Sequence, residues 1–242
     1  FVDVDVVEEV NVHKVTVALV MGGFKRIIFV KVEALAIFEK FKTITLKEVN
    51  KVYDKLGISF DSYAGESFYN DKMAPVVEEL KEKNLLKTSD GASIVDLEEY
   101  GMPPCLILKS DGSTLYATRD IAAAVYRKNT YDFEKCLYVV AYQQNLHFKQ
   151  FFKVLELMGK EWAKDMVHVA YGMVSLESGS MSTRQGKVVL LEDVINKTIE
   201  KAYSVIEEKN PELKDKDKIA KAVGTGAVIF GALCNNKIKD IV

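Results

Sequence analysis

Strand-length apolar runs alternate in this chain with helix-length amphipathic ones, and nothing else in the sequence constrains the fold as much. Lys135–Val140 is a dense apolar run of strand length, Gln150–Met158 carries apolar residues at helical spacing up to Gly159, and Val167–Tyr171 is strand-sized again. Parallel neighbours in a sheet need a crossover connection, commonly a helix, so this order argues for parallel pairing. Strands of that composition are expected to be covered on both faces. The expected class is α/β with a parallel sheet.

The rest of the chain can be read around that unit. Residues 1–32 are rich in Val, Ile and Phe, with a break at Gly22-Gly23, and strands are plausible there without definite bounds. From Ala34 the spacing turns helical through Leu35, Phe38 and Phe41. A second helical run from Thr45 presents Val49, Val52, Tyr53 and Leu56 and ends at Gly57. Ile58–Tyr63 reads as a short strand and Pro75–Leu86 as an amphipathic helix with Val76, Val77, Leu80 and Leu85 inward. Asp90-Gly91 marks a turn, Ser93–Leu97 and Cys105–Leu108 are strands, and Asp111-Gly112 reads as a hairpin turn leading to Thr114–Tyr116. Thr118 is placed to cap a helix over Ile121–Tyr126. After Leu191 the pattern is wholly helical, Val194–Glu207 and then Lys216–Ile241, so the expected domains are 1–190 and 191–242.

Composition removes several function classes. Of 242 residues, 48% are hydrophobic and the net charge is -2, so there is no global basic field to drive non-specific nucleic-acid binding, although a local basic face would serve. No apolar run approaches the ~20 residues of a bilayer span, so no membrane partner is expected. Cys105, Cys136 and Cys234 are odd in number and lack metal-ligand spacing; they read as small buried side chains in a reducing compartment. Phe1-Val2-Asp3 has no cationic lead-in and reads as an internal start rather than a signal peptide.

Five polar constellations lie beyond predicted strands. Tyr116 and Asp120 are one helical turn apart, which suits a carboxylate facing a cation beside an aromatic wall. The same letters fit an Asp in a first helical turn and a Tyr ending a core strand. Gln143-Gln144-Asn145-Leu146-His147 follows the strand at 135–140, where open α/β sheets bind ligands, yet capping and solvation explain such clusters as well. Gly65-Glu66-Ser67 offers an acceptor for an ammonium beside a residue that permits close approach, or simply a turn with an N-cap. Gly172-Met173-Val174 exposes backbone groups able to read a base edge, or forms a turn. Finally, Met181–Lys187 sets Arg184 and Lys187 beside Ser182, Thr183 and Gly186, donors that can follow phosphate charge, or a solvated charged loop. It lacks the glycine-rich Lys-Ser/Thr signature of a nucleoside-triphosphatase loop.

Taken in order, these segments resemble the catalytic domain of arginyl-tRNA synthetases, which are class I enzymes. The resemblance runs from about Ala34 to the C-terminus. It rests on Tyr63-Ala-Gly-Glu-Ser67, Ser113-Thr-Leu-Tyr-Ala-Thr-Arg-Asp120, Tyr138-Val-Val-Ala-Tyr-Gln-Gln-Asn-Leu-His147, His168-Val-Ala-Tyr-Gly-Met-Val174 and Met181-Ser-Thr-Arg-Gln-Gly186. It implies a Rossmann-like sheet followed by a helical connector toward an anticodon-binding domain. It also implies that Asp120 pairs with the substrate guanidinium, that Tyr116 lines that pocket, and that Glu66 and Gln144 orient the amino acid. Gly172, Met173 and Val174 would lie against adenine with His147 close by. Met181–Gly186 would correspond to the family's Lys-Met-Ser-Lys-Ser loop, making Ser182, Arg184 and Lys187 the catalytic donors and Met181 a nucleotide contact; Gln185 stands where a further basic residue is common. The early His-Ile-Gly-His-type motif has no match, His13 standing alone in Asn-Val-His-Lys.

The implied activity is ATP-dependent ligation of L-arginine to tRNA(Arg), with Mg2+ accompanying ATP and no dedicated protein metal site, in a cytoplasmic monomer. Two rivals make different predictions. A nucleotidyltransferase of related fold would not prefer arginine to lysine. A non-catalytic paralogue or fragment would bind arginine, ATP or RNA without forming an adenylate.

Overall fold

The structure, a computed structural model, describes residues 24–176, 179–180 and 189–241. In chain order its elements are α1 (Phe24–Leu56), α2 (Met73–Glu82), β1 (Leu86–Ser89), β2 (Ala92–Val95), β3 (Cys105–Leu108) and α3 (Tyr116–Tyr131). They continue with β4 (Cys136–Ala141), α4 (Asn145–Leu157), β5 (Met166–Tyr171), the two-residue strands β6 (Ser175–Leu176) and β7 (Gly179–Ser180), α5 (Leu191–Lys209) and α6 (Lys216–Leu233). The described parts of Phe1–Gly65 and Ser182–Cys234 form one compact unit, and those of Glu66–Met181 and Asn235–Val242 form another.

The first unit is helical. Where the sequence suggested two helices broken near Thr43, α1 is continuous, and the Thr43 hydroxyl donates to the Glu39 carbonyl at 2.8 Å without interrupting it. Helix also replaces the strands considered for residues 24–32; the earlier part of that expectation lies outside the described residues. At its end Ile58 N–H donates to the Tyr53 carbonyl at 2.9 Å and Gly57 N–H to Asp54 at 3.2 Å, closing the helix in a Schellman arrangement. The expected strand Ile58–Tyr63 does not form. Its aromatic residues fold back instead, Phe60 meeting Tyr53 at 4.8 Å and Tyr63 at 5.6 Å between ring centres. Lys55 of α1 donates to Glu192 of α5 at 2.6 Å, and the ammonium holds that exposed carboxyl below the usual carboxylate range. Helices α5 and α6 approach closely where Ile195 and Ala220 are fully buried, and Gly224 lies against the backbone of Ile199.

The second unit is α/β, as the alternation of elements required. β1, β2 and β3 form an antiparallel sheet in that order, with Asp90-Gly91 turning the chain between β1 and β2. β4 and β5 pair in parallel from Cys136↔Met166 to Ala141↔Tyr171, with α4 as the crossover. The expected parallel pairing is this β4–β5 ladder; β1–β3 form a separate antiparallel sheet, and one isolated parallel bridge joins Val174 and Ile241. Coverage of the β4–β5 ladder is one-sided. Tyr138 is buried against Phe148 and Phe151 of α4, whereas Leu137 and Val139 are 57% and 63% exposed. The apolar run at 137–140 therefore supplies one buried face and one open one. Val76, Val77 and Leu80 from α2, Val95 and Ile107 from the antiparallel strands, Ile121 from α3 and Phe151 and Leu155 from α4 close the core.

Two local features near α3 depart from the sequence reading. The hairpin expected at Asp111-Gly112 shrinks to a single bridge, Leu108↔Thr114, because the Asp111 carboxylate accepts from Ser113 N–H at 2.9 Å and its hydroxyl at 2.6 Å, after which the chain enters helix. α3 then starts at Tyr116 with Leu115 as its cap residue, so Thr118 is not the cap. Thr118 is fully buried and its hydroxyl donates to the Ile107 carbonyl at 2.5 Å, tying α3 to β3. Thr118→Val keeps the shape and removes that bond. Because the Ile107 carbonyl retains the Leu115 N–H, the expected cost is about 1 kcal/mol, read as a lower denaturant midpoint with unchanged slope.

The cysteines differ in surroundings. Cys105 is buried, and burial pushes its thiol up to about 12, whereas Cys234 is exposed rather than buried as its composition class suggested. A thiol reagent applied to the native protein at pH 8 is expected to label Cys234 and spare Cys105, since only the thiolate reacts. Mass spectrometry showing equal labelling would contradict that assignment.

Candidate active site

The opening turns of α3 carry the densest functional geometry. Tyr116, Arg119 and Asp120 are spaced one helical turn apart and share a face. Tyr116 is 62% exposed as the first helical residue, so it does not end a core strand. Asp120 is the fifth residue, beyond the first turn, which removes helix-start stabilisation as the reason for a carboxylate there. Its carboxylate instead lies 2.5 Å from Nε2 of His147, on α4. The Arg119 guanidinium donates to the Glu66 carboxylate and lies 6.0 Å from the Tyr116 ring centre. Each side chain in both pairs remains partly exposed.

The consequence is electrostatic. Two carboxylates on neighbouring elements each face an internal cation or imidazole while keeping edge open to solvent, so each is held in place and still able to accept further donors. Glu66 comes from the 3-10 turn Glu66–Lys72, which no strand precedes among the described residues. Arg119 was not singled out from the sequence. Its spacing of three from Tyr116 and its place beside Asp120 were the signal that could have found it.

Gln144 ends the 3-10 turn Tyr142–Gln144 and is exposed, three residues before His147. That turn leaves β4 at the same sheet edge from which Gly172–Val174 leave β5, since Ala141 and Tyr171 are register partners. This is the carboxyl edge where α/β sheets bind ligands. His147 itself is packed by Phe148 and Phe151, at 5.6 and 5.4 Å between ring centres. Behind it His168 stacks on Phe148 at 4.1 Å and donates from Nε2 to the Val140 carbonyl at 2.9 Å, a structural role that explains its place on β5.

Gly172–Val174 do not form an isolated turn. Residues 237–241 run beside them, with Gly172 N–H donating to the Lys237 carbonyl at 2.6 Å and Ile241 N–H to the Met173 carbonyl at 2.9 Å. Met181, Ser182, Arg184 and Lys187 lie outside the described residues. A cleft of about 750 Å³ lined by Tyr100, Met102, Phe152, Lys153 and Lys160 contains none of the residues singled out above. Among the described residues no group of three or more His, Cys, Asp or Glu side chains is arranged to hold a metal ion, and no helix is long and apolar enough to cross a membrane.

Comparison with known proteins gives the family of the chain. Residues 30–242 match the family described as class I tRNA synthetases (R), catalytic domain. The chain is 63% identical over 210 residues to an arginine–tRNA ligase of Halothermothrix orenii, an alignment covering 87% of this chain and 37% of that protein. It is 62% identical over 208 residues to an arginine–tRNA ligase of Clostridioides difficile, covering 86% and 37%. The chain thus spans little more than a third of the length of these curated relatives. A crystal structure of arginyl-tRNA synthetase from Plasmodium falciparum superposes with a TM-score of 0.74 at 25% identity, covering 86% of this chain and 35% of that one. The Thermus thermophilus arginyl-tRNA synthetase shares the fold with a TM-score of 0.69 at 21% identity, covering 90% and 44%.

Proposed function

The chain belongs to the catalytic-domain family of class I tRNA synthetases (R), and on that premise we propose that it is the arginine-activating portion of an arginine–tRNA ligase. The observation that carries this reading is the pairing of Asp120 with His147 at 2.5 Å on the exposed face that also bears Tyr116. A carboxylate held by an imidazole, with an aromatic ring one helical turn away, complements a planar guanidinium.

In the proposed reaction the arginine carboxylate attacks the α-phosphorus of ATP, forming the arginyl-adenylate as the bond to the β-phosphate breaks and pyrophosphate leaves. The attacking carboxylate is already ionised, so this step needs no general base. The terminal ribose hydroxyl of tRNA(Arg) then attacks the adenylate carbonyl, and AMP leaves. Asp120 and Tyr116 would hold the guanidinium, while Glu66 and Gln144 would orient the amino-acid end. Catalysis in the first step is positioning together with charge stabilisation. Arg184 and Lys187, with Ser182, would meet the developing charge on pyrophosphate. Gly172, Met173 and Val174 would lie against adenine, with His147 and Met181 as further nucleotide contacts. Magnesium enters as part of the substrate, bound to the triphosphate. Residues 1–190 would serve as the catalytic domain and 191–242 as a connector, in a cytoplasmic monomer.

The test is charging of tRNA(Arg) by the full-length protein. Stable esterification of labelled arginine, dependent on ATP, is expected. A folded protein that binds ATP yet leaves tRNA(Arg) uncharged would move the reading to a non-catalytic paralogue.

A further inference from the structure

Composition left room for a local basic face, and the cleft of about 750 Å³ supplies one. Lys149, Lys153, Lys160 and Lys164 line it against two glutamates, Glu156 and Glu161, in a chain whose net charge is -2. Its lining residues 159–164 precede β5, so it opens near the amino end of that strand. Gln144 and Gly172 lie at the carboxyl edge instead, and the cleft is a separate place on the molecule.

The cations there are of two kinds. Lys153 donates to Glu156 at 2.5 Å and Lys160 reaches Glu79 at 2.7 Å, so both are held. Lys149 and Lys164 are exposed and have no ion-pair or hydrogen-bond partner among the described residues. One wall is aromatic. Tyr100 ends the 3-10 turn Glu98–Tyr100 and is 44% exposed, with Nζ of Lys153 4.7 Å from its ring centre. Gln150 of α4 fixes that wall by donating to the carbonyls of Pro103 and Pro104 at 2.8 and 3.2 Å.

From this arrangement we propose that the cleft is an RNA-contact site for an unpaired nucleotide of the tRNA. Its base stacks on Tyr100, and the phosphates on either side meet Lys149 and Lys164. This rests on the tRNA partner of the reading above. An accessible aromatic ring among ammonium groups supplies what a single strand needs, a face for the base and cations for the backbone. The lysines follow α4 and the loop after it rather than converging on one point, as successive phosphates require. An acidic peptide would use the lysines and leave the ring idle, and a duplex keeps its bases stacked away from any such ring.

Titration of tRNA(Arg) with the full-length protein at several salt concentrations, followed by fluorescence anisotropy, tests this. The double substitution Lys149→Ala, Lys164→Ala is expected to weaken binding about tenfold at low salt. The slope of log affinity against log salt should become shallower by about 1.4, the share of two single-strand phosphates. Tyr100→Ala is expected to weaken binding by about fivefold or more with little change in slope. Tyr100→Phe, which keeps the ring, should stay within about twofold of the parent, and arginine affinity should stay within about twofold in every variant. Should Tyr100→Ala fail to fold, Tyr100→Leu carries the test, because it fills space without a flat face. Unchanged tRNA affinity in the lysine variant overturns the proposal. So does a lysine effect without a Tyr100 effect, the mark of plain phosphate attraction, and so does a parallel loss of arginine binding. A parent that charges tRNA(Arg) while its variants bind it equally well keeps the ligase reading and loses this one. A parent that binds tRNA(Arg) without charging it sinks the ligase reading and leaves these titrations to judge the cleft; a parent that binds no tRNA overturns both.

Discussion

Asp120→Ala is expected to reduce kcat/KM for arginine on the order of a hundredfold, while KM for ATP moves by about threefold or less. The size follows from what the substitution removes. In the proposed complex a guanidinium leaving water would have Asp120 as its charged acceptor, and truncating one partner of a hydrogen-bonded charge pair costs roughly 2–5 kcal/mol. The His147 imidazole, now 2.5 Å from Asp120, would be left without its carboxylate as well. Asp120→Asn separates charge from shape, since it keeps the side-chain volume and one acceptor oxygen. It should remain closer to the alanine variant than to the parent, because the neutral amide offers no ion pair. Steady-state kinetics with varied arginine and saturating ATP makes the distinction. An alanine variant with unchanged arginine dependence would mean that the guanidinium is read elsewhere.

Gly224→Ala should be the most damaging small substitution in the helical unit, costing about 3 kcal/mol, the upper part of the range for overpacking. An added Cβ would stand 2.6 Å from the Cα of Ile199 and 2.7 Å from its backbone nitrogen. Backbone atoms of a helix cannot turn aside as a side-chain tip can, so α5 and α6 must separate. Ile195 and Ala220, both fully buried, would lose packing together. Gly226, two residues further along the same helix, has nothing within 4 Å of its own added Cβ. Gly226→Ala should therefore stabilise by up to about 1 kcal/mol, through helix propensity alone. Thermal unfolding followed by circular dichroism should show the two variants moving in opposite directions. Shifts of the same sign would contradict the close approach.

The fold was legible where local pattern and tertiary demand agreed. The β4–α4–β5 unit has its elements where the apolar spacing placed them, because a βαβ crossover leaves a strong periodic signal. It was illegible where a side chain or a remote segment settled the matter. The helix runs through Thr43 where composition suggested a break, and Phe60 takes aromatic partners where a strand was expected. Nothing local at Thr118 distinguishes a cap from a buried donor to β3; the difference is the Ile107 carbonyl, eleven residues away.

The candidate site divides in the same way. The Tyr116–Asp120 pair was visible as a spacing, and its helical face is the observed one. The partners of those carboxylates were not visible, since Glu66 meets Arg119 across 53 positions and Asp120 meets His147 across 27. Gly172–Val174 could be named as exposed backbone from their place after a strand. That residues some 65 positions later run beside all three depends on a pairing no local pattern encodes.

The central claim is that this site selects and activates arginine, and ATP–pyrophosphate exchange by the full-length protein with tRNA(Arg) present tests it most directly. The amino acids to compare are arginine, lysine and citrulline, the last being close to arginine in shape but uncharged. The account predicts exchange with arginine alone, abolished or greatly reduced in Asp120→Ala. Comparable exchange with lysine or citrulline would contradict it, because a lysine ammonium lacks the planar fork that pairs bidentately with a carboxylate and citrulline lacks the charge.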